Sequence, residues 1–215
     1  MKRYPLTHTL SKLYKGHSIA RVLMNVGLAK ERVSGLVVDV GGARNPDYFE
    51  YLESNEGVRV EPLDGMLSSI DFEVDALPYA EGAVDTVLMC NLLEHIYNYR
   101  FLLNEANRIL KKEGRLVGFV PFWVGYHPDP HDYFRYTQEA LQKMFTDAGF
   151  VNICVRPIGA GPLMANFNTI GLSMPRILRP LVYLWYAFFD RLYTTLRPKS
   201  VERNPLGFIF TAEHA

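Results

Sequence analysis

Four short strand-like segments, each stopped by a glycine, an acid, an amide or a proline, constrain this chain more than any other feature. Leu36-Val37-Val38-Asp39-Val40 runs into Gly41-Gly42, Val58 to Leu63 ends at Asp64, Val84 to Cys90 at Asn91, and Arg115 to Val120 at Pro121. An apolar run without polar alternation predicts a strand covered on both faces, the pattern of a parallel sheet. Helical patterns lie between and after these runs. Tyr99 to Leu110 sets Leu102, Ala106, Ile109 and Leu110 on one face, and Gln138 to Ala148 follows Thr137 as N-cap and stops at Gly149. Leu10 to Leu28 reads as one helix docked on the core, and Pro46 to Ser54 as a short helix opened by its proline. Phe150 to Val155 and Phe208 to Thr211 complete the strands. Such alternation predicts an α/β fold, a doubly wound and mainly parallel sheet with helices on both faces, because parallel strands need crossovers. Ligands of such sheets bind beyond the carboxyl ends of the strands, so the loops after Val40, Leu63, Cys90 and Val120 should converge on one site.

Composition narrows the class. With 215 residues a single domain is expected, divided into an N-terminal helical segment (1–34), a ligand-binding core (35–156), a helical insertion or lid (157–204) and a final strand (205–215). Lys plus Arg and Asp plus Glu both total 23, so no global field attracts nucleic acid, and no nucleic-acid partner is expected. Cys90 and Cys154 both stand in apolar runs, which suits reduced, buried thiols. The start at Met1-Lys2-Arg3 lacks the apolar core of an export signal, and the longest uncharged apolar run, Leu181 to Phe189, is about half of what a bilayer crossing needs. A cytoplasmic chain follows.

Three loops offer a nucleoside-shaped set of groups. Gly41-Gly42 permits close backbone approach, with Ala43 next to it. Asp64 ends a strand where a carboxylate can accept both hydroxyls of a ribose. Asp75-Ala76-Leu77-Pro78 offers a carboxylate, a backbone N–H and an apolar side chain for adenine. Each taken alone also reads as ordinary turn chemistry.

In the order Val38-Asp39-Val40-Gly41-Gly42-Ala43, Leu63-Asp64, Asp75-Ala76-Leu77-Pro78, Asn91-Leu92-Leu93-Glu94-His95-Ile96 and Lys112-Glu113-Gly114-Arg115-Leu116, the chain resembles the class I S-adenosylmethionine-dependent methyltransferases, over about Gly35 to Val155. The resemblance implies a Rossmann-like, seven-stranded sheet with the last strand antiparallel, and S-adenosyl-L-methionine as cofactor. It also implies that Asp39, Gly41, Gly42 and Ala43 line the methionine end, that Asp64 holds the ribose, that Asp75, Ala76 and Leu77 meet adenine, and that Asn91 faces the sulfonium. The family's glycine loop carries glycines where this chain has Gly41, Ala43 and Asn45, so two are replaced and Gly42 is added. Glu94-His95 reads most simply as a helix-start acid with a packed histidine.

Polar chemistry concentrates in Pro121 to Thr137. Pro128 and Pro130 bias the residues before them toward extended backbone, so His127, Asp129 and His131 should lie on one side. A neutral imidazole there can take the proton of an acceptor hydroxyl, which makes His127, His131, Asp132 and Arg135 the candidate catalytic residues. The same His and Asp residues could gather a divalent ion, although none is assigned. Phe122, Trp123, Tyr126, Tyr133 and Phe134 would form a dry wall. The His-Asp-Tyr-Phe-Arg-Tyr-Thr segment resembles methyltransferases of surface-glycan and secondary pathways, which implies a sugar or small-molecule hydroxyl as acceptor. The alternative is a non-catalytic cofactor-binding regulator or scaffold. A nicotinamide-dependent oxidoreductase fits less well, because the G-x-G-x-x-G spacing is missing. Residues 178–199, apolar almost all round between arginines, suit a lid, a homodimer contact or a peripheral contact with the inner face of a membrane.

Overall fold

The computed structural model describes residues 4–43, 46–54 and 56–215, so Met1 to Arg3 and Asn45, which the sequence reading used, lie outside the described residues. In chain order the strands are β1 (Arg32–Val33), β2 (Leu36–Val40), β3 (Glu53–Ser54), β4 (Arg59–Leu63), β5 (Val84–Cys90), β6 (Leu110–Pro121), β7 (Phe150–Ile158) and β8 (Gly207–His214). The helices are α1 (Leu6–Tyr14), α2 (Ile19–Leu28), α3 (Gly65–Ser68), α4 (Tyr99–Ile109), α5 (Gln138–Asp147), α6 (Pro162–Gly171), α7 (Arg179–Leu196) and α8 (Lys199–Arg203).

The main sheet runs β4-β2-β5-β6-β8-β7. β2 pairs in parallel with β4 on one side and β5 on the other, and β5 pairs in parallel with β6. β8 enters antiparallel between β6 and β7. The chain first winds outward from β2 to β4 and then returns to place β5 on β2's other edge. That reversal is the switch point, and the turns at Gly41 and Asn91 stand side by side above it. The α/β fold and the antiparallel last strand match the expectation, but among the described residues the sheet has six strands, not seven. Residues 64–83, between β4 and β5, hold Gly, Ser, Pro and five acids with no apolar run, and they form α3 and turns.

Alternate residues of the central strands feed two cores, as the side-chain alternation of a strand requires. Val38, Val87, Leu116 and Phe210 join Leu102, Leu103, Leu141 and Phe145 of α4 and α5. Val37, Leu88, Val117 and Ile209 join Leu13, Ile19, Val22 and Phe167 of α1, α2 and α6. The single helix expected over Leu10 to Leu28 is broken. Gly16 adopts φ +103°, a value that favours glycine, and Ser18 restarts the chain by accepting a 3.1 Å bond from the Arg21 amide as the N-cap of α2. The expected helix over Pro46 to Ser54 is a single 3-10 turn (Asp47–Glu50) followed by β3, which pairs with β1. Cys90 is buried as expected, whereas Cys154 is exposed, because it lies on β7, an edge strand of the sheet. No helix among the described residues is long and apolar enough to cross a membrane.

Candidate active site

Two adjoining cavities open above the carboxyl ends of β2, β4 and β5, sharing Gly41, Asn91, His95 and Asp129. The first, of about 560 Å³, is lined by Asp64, the run Ile70 to Glu73, His131 and Tyr133 in addition to the shared residues. The second, of about 430 Å³, adds Gly42, Ala43, His127 and the α2 residues Ser18, Arg21 and Met24. Both fall within the size range of small-molecule sites.

The glycine turn is built for close approach. Gly41 has φ +77°, and a Cβ there would lie 2.7 Å from a Leu92 methyl; a Cβ on Gly42 would lie 1.9 Å from Asp39 Oδ2. Asp39 itself is buried beneath the turn, where Tyr48 donates a 2.6 Å bond to Oδ2 while Oδ1 has no hydrogen-bond partner among the described residues. Burial pushes its carboxyl up to about 7, against the opposing pull of the Tyr48 hydroxyl. Asn91 takes φ +54°, a left-handed conformation that asparagine tolerates, and so turns the chain across the mouth of both cavities.

Asp64 lines the first cavity, but the Asp75-Ala76-Leu77 turn does not line either one. Asp75 Oδ2 instead accepts the Asp71 amide at 2.9 Å, Ala76 is exposed, and the buried Leu77 gives its amide to Glu105 Oε2 at 2.9 Å. Ile70, Asp71, Phe72 and Glu73 occupy the position that the sequence reading gave to that turn. Nothing in the spacing of the two acids Asp71 and Asp75 separates them; the Glu105–Arg108 pair on α4, which also binds the Leu77 and Tyr79 carbonyls, pulls the later turn away.

The residues expected to be catalytic divide. His127 lines the second cavity and His131 the first, so the two do not converge; the His131 ring lies 5.2 Å from that of Tyr133 and its carbonyl is bonded to His95 Nδ1. Asp132 and Arg135 line neither cavity. They form a two-pronged ion pair in which the Arg135 guanidinium holds the Asp132 carboxyl well below the usual range, and Asp132 Oδ2 also accepts the His127 amide at 3.0 Å. Arg135 further binds the Gly125 carbonyl at 3.3 Å. The pair braces the loop that carries His127. Of the expected aromatic wall, only Tyr133 lines a cavity; Phe122 and Phe134 pack on the core, and Trp123 and Tyr126 are exposed.

Glu94, read from the sequence as a helix-start acid, is fully buried, neither carboxylate oxygen has a hydrogen-bond partner among the described residues, and burial pushes it up to about 8. Its Oε1 stands 3.7 Å from His95 Nε2 and 4.0 Å from His127 Nε2. Each imidazole anchors Nδ1 on a backbone carbonyl, His95 on His131 and His127 on Gly125 at 2.9 Å, which turns both Nε2 atoms toward the acid. One donor from each of Glu94, His95 and His127 lies within 4.8 Å of the others, a set able to hold a cation; His127, Asp129 and His131 do not form such a set. The Glu94-His95 dipeptide was the available signal, but a sequence does not show that His127 folds over it from thirty residues away.

Residues 48–118 match the family model of a methyltransferase domain. Over 98 residues the chain is 24% identical to a probable S-adenosylmethionine-dependent methyltransferase of Mycobacterium tuberculosis, a match covering 43% of this chain and 36% of the relative. The chain thus spans about a third of the length of the curated relatives that it matches first. Among solved structures, an S-adenosylmethionine-dependent methyltransferase of Thermotoga maritima superposes with a TM-score of 0.54 at 14% identity over 95% of this chain and 92% of that one. Phosphoethanolamine N-methyltransferase 2 of Haemonchus contortus, solved with S-adenosyl-L-methionine, gives 0.52 at 14% identity over 98% and 57%.

Proposed function

We propose that the chain is a class I S-adenosylmethionine-dependent methyltransferase, a reading supported by the family-model match and the relatives above, and that it transfers the methyl group of S-adenosyl-L-methionine to a hydroxyl of a sugar, glycan or other small molecule, with His127 as general base. The cavities suit the cofactor on two counts of their own geometry. The Gly41-Gly42 turn leaves no room for a Cβ on either residue, and the buried Asp39 beneath it keeps one oxygen without a hydrogen-bond partner among the described residues. When bound, the cofactor supplies an activated methyl group on a sulfonium.

The chain's own residues hold, orient and deprotonate. Asp64, at the end of β4, accepts the ribose hydroxyls; Ile70 to Glu73 flank the base; Gly41, Gly42 and Asn91 border the reacting end. His127 faces the second cavity, where an acceptor meets that end. Its Nδ1–H is committed to the Gly125 carbonyl, so Nε2 carries the lone pair that takes the hydroxyl proton. Glu94 Oε1 stands 4.0 Å from His127 Nε2, beyond hydrogen-bond range, so the acid does not occupy that lone pair. Asp132 and Arg135 are positioning residues: they fix the backbone around His127 and take no part in the proton transfer.

The observation that supports a base most strongly is the unsolvated Glu94 carboxyl facing two imidazoles at the junction of both cavities. A labelled-methyl assay with fractionated extract of the chain's own source tests the reading. The expected product keeps its label through mild alkali, as a methyl ether does, and forms equally well after treatment with a chelator. Label released by alkali, or turnover that stops on chelation and returns with a divalent ion, would replace the hydroxyl or the base in this account.

A further inference from the structure

The outer face of α7 is the largest apolar surface that the fold leaves unexplained. Inward, the helix buries Tyr183 and Asp190 and sets Tyr183 and Tyr186 against Phe167 of α6. Outward, Leu181, Leu184, Trp185, Phe188, Phe189, Leu192, Tyr193 and Leu196 are all exposed, and Ile177 and Leu178 extend the stripe before the helix begins. Eighteen residues at 1.5 Å each make a ridge about 27 Å long. Scattered apolar residues on a surface need no cause, but a continuous stripe of this kind marks a contact.

Charge says what the contact is. Residues 4–30 and 157–201 carry nine Lys and Arg, of which Arg179 is buried and Arg21 pairs with Asp47, against a single acid, Asp190, with exposed Glu202 following, in a chain whose total charge is zero. Asp190 is fully buried and accepts the Leu163 amide at 2.9 Å, so it neutralises nothing outside. Arg176, Arg191, Arg197 and Lys199 are exposed along and beyond the stripe. Beside its amino-terminal end, Tyr14 and Lys15 of the α1 edge join Arg176 and Ile177 around an open recess of about 470 Å³. Two cations and two apolar side chains there match a phosphate headgroup with its glycerol and first methylenes.

We infer that α7 lies in the plane of an anionic membrane surface, its apolar stripe at the level of the acyl chains and the Lys15–Arg176 recess on a lipid phosphate. An in-plane helix needs a strongly apolar face bordered by cations, with aromatic residues at headgroup depth. Tyr193, at the edge of the stripe, occupies that place, and Trp185 lies within the stripe itself. A second copy of the chain is the competing occupant, and the charges disfavour it: a two-fold contact brings the same face against itself, so Arg176, Arg191, Arg197 and Lys199 would meet their own kind with no exposed acid between Leu172 and Val201 to offset them. An anionic bilayer offsets all four. The inference is independent of the methyl-transfer reading, since none of the stripe or recess residues lines either cavity above the sheet, and it can hold whatever those cavities bind.

Co-sedimentation of the full chain with vesicles tests it, comparing pure phosphatidylcholine with phosphatidylcholine containing a third of phosphatidylglycerol, at low and at physiological salt. The expected result is binding to the anionic vesicles only, weakened by salt, with a blue shift of tryptophan emission that is lost in Trp185→Phe. Phe188→Glu with Leu192→Glu should reduce binding at least ten-fold, and Lys15→Gln with Arg176→Gln several-fold. These side chains are exposed, so circular dichroism and thermal melting should remain unchanged. Folded wild-type chain that stays in the supernatant with anionic vesicles at low salt would overturn the inference. So would a concentration-dependent dimer abolished by the Phe188 and Leu192 changes in a chain that ignores vesicles, which would make this face a self-contact.

Discussion

Replacing Asp39 with asparagine should remove a pH dependence of stability that the wild-type chain shows between about pH 4 and pH 7. Asp39 is fully buried in β2, the only hydrogen bond to its carboxyl among the described residues comes from Tyr48, and burial pushes its pKa up to about 7. In the unfolded chain the same group titrates near 3.9, so the folded state holds the proton more tightly over that window. Stability from this group is therefore fully present below about pH 4 and falls as pH rises through the folded value. A shift of about three units corresponds to about 4 kcal/mol in full, of which roughly 2.5 kcal/mol is lost between pH 5 and pH 8. Asparagine keeps an oxygen for the Tyr48 hydroxyl and carries no titrating proton, so any packing cost that it adds is the same at both pH values. Urea unfolding of both chains at pH 5 and pH 8 reads the difference directly: the stability of the variant relative to wild type should rise by about 2.5 kcal/mol from the lower to the higher pH. An offset that does not change with pH would mean that Asp39 is solvated or paired in the native state, and the argument from its burial would fall.

Gly42→Ala should abolish binding of S-adenosylhomocysteine in a calorimeter while the chain remains folded, because the new methyl collides with a buried carboxylate that has nowhere to move; unchanged affinity would mean that the turn adapts. His127→Ala should lower turnover about 100-fold or more with cofactor affinity unchanged, whereas His131→Ala, whose contribution to the loop is a backbone carbonyl, should lower it less than ten-fold. Equal losses for both would remove His127 as the base. Ser18→Ala should cost about 1 kcal/mol in urea unfolding through loss of the α2 cap.

The fold was legible where hydrophobic pattern and turn chemistry agree. β2 and β5 begin and end where the apolar runs do, since strands buried on both faces cannot admit a polar residue without a partner. The break between α1 and α2 was missed because the apolar period runs through it; only the left-handed Gly16 and the Ser18 cap record the interruption. The seventh strand was a family expectation that the residues between β4 and β5 did not support. Gly41, Asp64 and Asn91 line the cavities because each directly follows a strand, which fixes its place at the sheet's edge. Asp75, Asp132 and Arg135 were misplaced because a short polar segment reads the same whether its side chains face a cavity or hold the loop together. Glu94 gave the opposite error. Its neighbours in space come from distant parts of the chain, and the missing hydrogen bonds that single it out are visible only in three dimensions.

Titration calorimetry with S-adenosylhomocysteine on the wild-type chain, Asp64→Ala and Ala76→Gln tests most directly whether the cavity above β2, β4 and β5 holds the cofactor. Wild type and Ala76→Gln should bind alike, because Ala76 is exposed and lines neither cavity, and Asp64→Ala should bind at least ten-fold more weakly. A wild-type chain that gives no heat with millimolar ligand, or a loss at Ala76→Gln that equals the loss at Asp64→Ala, would contradict the account.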